Sequence, residues 1–183
     1  TGGTGPILLM LPGTLGNADI FFKQMEKLGQ RIRIIALAYP LIADVDLLAG
    51  DIARLLDRLA IPRASVLGTS FGGFLAQVFA EQFPARIETL FIGNSLTDAD
   101  LIRGAFPPGS ELLKLPPKAL RAQMSSQMSN WDHSEKIFAQ LSDLLLRELA
   151  SYLPPRAPKL RLAAIMLRQK APIPTLPDSQ IVI

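Results

Sequence analysis

Short apolar runs alternate with helical-period patterns through the first hundred residues. Pro6-Ile-Leu-Leu-Met-Leu11 is an unbroken apolar run stopped by Pro12-Gly13, the pattern of a strand buried on both faces. Residues 17–28 follow with Ile20, Phe21, Met25 and Leu28 on one side of a predicted helix. Arg33-Ile-Ile-Ala-Leu-Ala38 is a second strand, ended by Tyr39-Pro40. Leu47, Leu48, Ile52, Leu55, Leu56 and Leu59 then recur with helical period over about 46–60. Ala64-Ser-Val-Leu67 is a third strand, Phe71 to Phe83 a third helix ended by Pro84, and Ile87-Glu-Thr-Leu-Phe-Ile92 a fourth strand closed by Gly93-Asn94. Strands separated by helices pair in parallel through right-handed crossovers. The expected fold class is α/β, a doubly wound, mostly parallel sheet. Ligands in such sheets bind at the carboxyl ends of the strands. That places Pro12–Leu15, Tyr39, Gly68–Gly72 and Asn94–Asp98 along one edge.

The pattern changes near Asp100. Residues 101–170 carry no strand signal. A helix is expected over 132–151, with Ile137, Phe138, Leu141, Leu144, Leu145 and Leu149 on its apolar stripe and Asp132 and Glu135 as a capping box. A second is expected over 160–167. Prolines at 107–108, 116–117, 154–155 and 158 punctuate this mainly helical insertion. A last buried strand is expected at 180–183. The division is a core over 1–99, a helical insertion over 100–171 and a return to the sheet over 172–183.

Composition narrows the chemistry. Of 183 residues, 49% are hydrophobic and 19% charged, which excludes intrinsic disorder. The absence of cysteine removes disulfides, thiolate nucleophiles and Cys-ligated metals, and a single histidine, His133, removes a multi-His metal site. No metal and no cofactor is expected. No apolar run reaches the length of a membrane span, and the first residues lack the basic and apolar regions of a leader, so a cytoplasmic location is expected. Thr1-Gly-Gly-Thr-Gly5 lacks the Gly-Lys-Ser/Thr ending of a phosphate loop and reads as a plain loop. Residues 101–183 carry 11 Lys/Arg against 6 Asp/Glu. Those cations, Arg156, Lys159, Arg161, Arg168 and Lys170 among them, are scattered at helical spacings and read as solvated faces, not as a nucleic-acid stripe. Met124, Met128 and Trp131 pack against the sheet or line an apolar pocket.

The informative stretch is Gly68-Thr-Ser70-Phe-Gly72, a G-x-S-x-G pattern between a buried strand and an amphipathic helix. A serine on so sharp a strand-to-helix turn is lifted above the sheet, and the residues two before and two after pass too close for side chains. Gly68 and Gly72 meet that need. The competing reading is an ordinary turn with Ser70 as helix cap. An acyl-transfer site also needs two N–H donors for an oxyanion. Phe71 N–H, directly after the serine, is one candidate. Thr14 N–H, in the loop after the first strand, is the other.

Leu11-Pro-Gly-Thr-Leu-Gly16-Asn-Ala-Asp-Ile-Phe21, Leu55-Leu-Asp-Arg-Leu59 and Gly68-Thr-Ser-Phe-Gly-Gly-Phe-Leu-Ala-Gln77 resemble the maspardin-like branch of the α/β-hydrolase superfamily. The match covers about residues 6–98, with Pro12-Gly13 where many members have His-Gly. The resemblance implies an α/β-hydrolase fold, incomplete at its C-terminal side, and makes residues 100–171 the cap that this superfamily inserts. It implies a triad in the order serine, acid, histidine. Some members place the acid after the strand that follows the elbow helix, the position of Asp98; Asp100 is a weaker candidate, and a loop Asp bonding its own backbone is the alternative. The histidine would lie beyond the strand near Gln180, and His133 falls within the cap. With no initiator methionine and an end inside a strand pattern, the sequence reads as trimmed or fragmentary; otherwise the site is defective or a partner completes it.

The expected function is a serine hydrolase of carboxylesterase type. Ser70 attacks a small or hydrophobic ester, thioester or amide and forms an acyl-enzyme. The expected partner is a small-molecule ester, with self-association possible through an open sheet edge or the cap. The alternative is a non-catalytic chain of the same fold that binds other proteins.

Overall fold

β1 (Ile7–Leu11) forms because all five residues are apolar and both its faces find cover. In a computed structural model, which describes residues 5–130, 134 and 136–183, β1 pairs in parallel with β2 (Arg33–Ala36) on one side and β3 (Ala64–Thr69) on the other. β4 (Ile87–Gly93) pairs with β3, and β5 (Ile181–Val182) with β4, both in parallel. The order is β2-β1-β3-β4-β5. The chain therefore runs outward from β1 to β2, then crosses back over β1 to lay down β3. The carboxyl ends of β1 and β3 flank the point where the winding reverses, the place where open α/β sheets bind ligands.

Alternation along β1 divides its side chains between two cores. Leu8 and Met10 join Phe21 and Ile34, with Ile20 and Met25 packed beside them, under a 3-10 turn (Ala18–Phe21) and α1 (Phe22–Leu28). Leu9 and Leu11 face the larger core with Val66, Leu90, α2 (Val45–Arg58) and α3 (Phe71–Gln82). Asp44 caps α2, its carboxylate accepting from Asp46 N–H and Leu47 N–H at 2.9 and 3.0 Å. α3 is buried at all ten positions from Phe71 to Ala80, as an all-round apolar helix must be.

Between β4 and β5 lie α4 (Gly109–Lys114), α5 (Pro117–Ser129), α6 (Lys136–Arg147), a π turn (Glu148–Tyr152) and α7 (Ala157–Arg168). α7 packs against α4, α3, α5 and α2. Backbone bonds from Ala99 N–H to Gln169 C=O (2.7 Å) and from Ala171 N–H to Thr97 C=O (2.8 Å) tie together the two ends of this helical run. Among the described residues, no helix is long and apolar enough to cross a membrane.

Several expectations are corrected. The helix expected over 17–28 begins as a 3-10 turn, and Leu28 is exposed. Leu47, placed on the apolar side of α2, is 54% exposed. β2 stops at Ala36, two residues early, while β3 runs two residues further, to Thr69. Periodicity gives no sign of α4 and α5. Met124 and Met128 lie in the main core, with Leu120 one turn earlier in α5. α6 turns its stripe in part differently: Ser142 is buried and Leu144, Leu145 and Leu146 are partly covered, whereas Phe138 is 50% exposed and Leu141 also lies outside; Leu149, as expected, is buried, in the π turn that follows. The final strand is a two-residue edge pairing with only one neighbour, so Val182 is exposed instead of buried. Lys159 and Arg161, expected on a solvated face, are buried. The N-terminal loop at residues 1–4, Trp131, the Asp132–Glu135 capping box and His133 lie outside the described residues.

Candidate active site

Ser70 joins β3 to α3 with φ +52° and ψ −121°, a conformation that costs a non-glycine residue energy and persists only where the surroundings impose it. The surroundings here are tight. Ser70 N–H is shared between the carbonyls of Gly93 (3.2 Å) and Asn94 (3.1 Å). Its own carbonyl accepts from Gly73 N–H (2.9 Å), Phe74 N–H (3.1 Å) and the Ser95 hydroxyl (2.8 Å). The side chain makes no capping bond to the helix. The ordinary-cap reading of Ser70 therefore fails.

The glycines behave as the turn requires. A Cβ on Gly68 would sit 2.2 Å from Gly72 O, and one on Gly72 would sit 2.0 Å from Leu11 O. Gly73, to which the sequence reading gave no role, is as constrained: a Cβ there would meet Ser95 Cβ at 2.5 Å. Gln77, buried one turn along α3, donates to Gly73 O (3.1 Å) and Leu96 O (3.2 Å), joining the elbow to the loop after β4.

The loop after β1 passes beside the serine. A Cβ on Gly13 would be 3.3 Å from Ser70 Cβ and 3.7 Å from Ser70 Oγ. Thr14 and Phe71 are both buried. No hydrogen bond among the described residues occupies Thr14 N–H. Phe71, as first residue of α3, has an N–H with no acceptor inside its own helix. Ser70, Thr14 and Phe71 thus gather at the winding reversal.

Asp98 is elsewhere engaged. Its carboxylate caps the 3-10 turn Ala99–Ile102 by accepting from Asp100 N–H at 2.9 Å, and it lies 3.6 Å from Lys170 Nζ. The Asp100 N–H bond, helped by Lys170, holds this carboxyl below its usual range. Asp100 pairs with Arg103. Among the described residues no cluster of His, Asp or Glu could hold a metal ion.

Arg161, which periodicity could not single out, and Tyr39, which strand order had placed on this edge, lie beside these residues. Arg161, in the middle of α7 and 3% exposed, donates through Nη1 to the carbonyls of Gly13 (3.1 Å), Thr14 (2.8 Å) and Gly16 (2.8 Å). Its guanidinium lies 4.9 Å over the Tyr39 ring. Tyr39 donates its hydroxyl to Pro12 O at 2.9 Å and sets its ring edge-on against Phe71 at 5.3 Å. Burial drags the Arg161 pKa down to about 10 against the pull of Tyr39 and Glu148, and burial pushes the Tyr39 phenol far above its usual range. Glu148, 2% exposed in the π turn, accepts from Asn17 Nδ2 at 3.0 Å.

Burial raises the Glu148 carboxyl, and the Asn17 bond offsets only part of the effect. A carboxyl raised in the folded state adds stability as pH falls through its folded pKa toward its unfolded value, and loses that contribution as pH rises. Glu148→Gln keeps an acceptor for Asn17 and removes the titration. Its melting temperature relative to wild type is expected to climb as pH rises from the ordinary carboxylate range to mildly alkaline values. A difference that stays flat, or falls, across a melt series at those pH values contradicts the buried, raised carboxyl.

No family model matches the chain. Maspardin from Homo sapiens is 37% identical over 106 residues, covering 56% of this chain and 34% of that protein. Poly(3-hydroxyalkanoate) depolymerase from Ectopseudomonas oleovorans is 30% identical over 106 residues, covering 53% of this chain and 38% of that protein. The alignments thus span little more than a third of these relatives' lengths. Among solved structures, a thermophilic esterase from Thermogutta terrifontis superposes with a TM-score of 0.67 at 18% identity, over 93% of this chain and 66% of that one. The fold is that of the α/β hydrolases.

Proposed function

We propose that this chain, which belongs to the α/β-hydrolase superfamily, is a serine hydrolase of carboxylesterase type in which Ser70 is the nucleophile. The observation that carries this reading is Ser70 held at φ +52° with its hydroxyl making no cap bond to α3, beside the Gly13–Thr14 loop and ahead of the amide end of that helix. Ser70 Oγ attacks the carbonyl carbon of an ester, thioester or amide, and its proton passes to a general base. The carbonyl oxygen becomes an oxyanion that accepts from Thr14 N–H and Phe71 N–H. Collapse of the tetrahedral adduct expels the alcohol, thiol or amine, which takes up the proton. Water then releases the acid from the acyl-serine. A small or hydrophobic acyl group suits a cap formed by α4–α7 over the strand ends. Asp98 remains the candidate for the carboxylate that orients the base, being ionised and placed after the strand that neighbours β3. The base itself is a histidine in most hydrolases of this kind. No histidine occurs among the described residues, and His133 is the one histidine in the sequence.

The 37% identity to maspardin supports a second reading, in which the same fold binds other proteins without catalysis. A fluorophosphonate separates the two. Incubated with the full chain, it is expected to add to Ser70, as read by mass spectrometry of the elbow peptide. A folded sample that stays unlabelled and hydrolyses no activated ester sinks the hydrolase reading and leaves the binding one.

A further inference from the structure

A cation on the inside of a helical segment calls for a reason. Burying a guanidinium is costly unless charge and hydrogen bonds compensate it. The three carbonyls that accept from Arg161 Nη1 come from Gly13, Thr14 and Gly16, all in the short loop after β1. In a trans peptide the C=O and the following N–H point in opposite directions. Drawing Gly13 C=O toward Arg161 therefore turns Thr14 N–H away from it. The loop's own restraint is slight: its one internal backbone bond, Gly16 N–H to Gly13 O, is long at 3.3 Å. Gly13 has no side chain to limit its torsions. Tyr39 extends the same support, because the ring beneath the guanidinium holds Pro12 O with its hydroxyl and Phe71 with its edge. The supports of both candidate oxyanion donors thus meet at one side chain of α7.

We propose that Arg161 is a positioning residue that presets the oxyanion donors by anchoring the Gly13–Gly16 carbonyls, a role that rests on the hydrolase reading above. The donors act on charge that develops only in the transition state, so their misalignment lowers kcat and spares KM. A side chain that merely braced the fold would change stability without that split.

The test uses the full chain with p-nitrophenyl acetate and with a fluorophosphonate, on Arg161→Met and Arg161→Lys. Arg161→Met, shown to be folded by circular dichroism and a cooperative melt, is expected to lose about 10- to 100-fold in kcat and in phosphonylation rate, with KM changed less than about threefold. Arg161→Lys keeps a donor cation and is expected to fall between that variant and wild type. Wild-type kcat in Arg161→Met overturns the proposal, as does a lysine variant no better than methionine. Should Arg161→Met not fold, Tyr39→Phe, which removes only the hydroxyl that holds Pro12, is expected to lower kcat about 3- to 10-fold at constant KM, and no change overturns the proposal. Should wild type itself neither label nor hydrolyse, the hydrolase reading has failed, and amide exchange then decides the positioning. The Gly16 amide, which bonds Gly13 O, is expected to exchange faster in Arg161→Lys than in wild type, and unchanged exchange rejects the anchoring.

Discussion

Ser70→Ala is expected to lower ester hydrolysis by on the order of 10⁴-fold or more while leaving the fold as stable as wild type. The hydroxyl makes no bond that holds the helix, so its removal takes away the proposed nucleophile without disturbing the cap. The backbone conformation, by contrast, is strained for any residue with a Cβ. Strain of this kind costs about 1–3 kcal/mol, and glycine relieves it at some cost in chain entropy. Ser70→Gly is accordingly expected to be inactive too, yet about 1 kcal/mol more stable than Ser70→Ala. Urea unfolding of the two variants beside an esterase assay checks both statements. Residual activity within tenfold of wild type in Ser70→Ala removes the nucleophile assignment. A glycine variant less stable than the alanine one removes the strain.

Gly72→Ala is expected to be severely destabilising. The added methyl would lie 2.0 Å from Leu11 O and 2.7 Å from Pro12 O. Both obstacles are backbone, at the end of a central strand paired on each side, so no flexible side chain can yield. Relief requires moving α3 away from the sheet, and α3 is buried at every position from Phe71 to Ala80. Overpacking of a well-filled core costs about 1–3 kcal/mol, and a rigid backbone clash puts this substitution above that range, at roughly 4 kcal/mol or more. A domain of this size is stable by about 5–15 kcal/mol in all. Gly93→Ala is the control, since a Cβ there meets nothing within 4 Å. Its denaturation midpoint is expected to stay close to that of wild type. A Gly72→Ala midpoint as close would mean that α3 does not press on β1.

The parts of the fold legible from sequence are those whose residues answer to near neighbours. β1 and β3 could be read because burial on both faces leaves continuous apolar runs. Ser70 could be read because a sharp corner demands glycine at fixed offsets on each side. Thr14 and Phe71 followed from the corner and from parallel order alone. Arg161 was illegible for the opposite reason. Its partners are carbonyls 145 to 148 residues away, and a backbone oxygen leaves no mark on sequence. At helical spacing a buried arginine and a solvated one look alike. α6 shows the same limit: its repeat of leucines fits two stripes, and the contact with Met128 O that draws the Ser142 hydroxyl inward at 3.3 Å belongs to tertiary packing. Asp98 sits where the family pattern puts it, but a carboxylate that can cap Asp100 N–H and face Lys170 has local uses that spacing does not reveal.

The long reach from the Gly13–Gly16 loop to Arg161 also has a consequence in time. A ribosome adds about 5–20 residues per second, so the first two strands and the elbow emerge on the order of ten seconds before the arginine that steadies the loop beside them. Until then the nascent chain carries the serine corner with a slack neighbour, and the loop beside it sets only once α7 has been made.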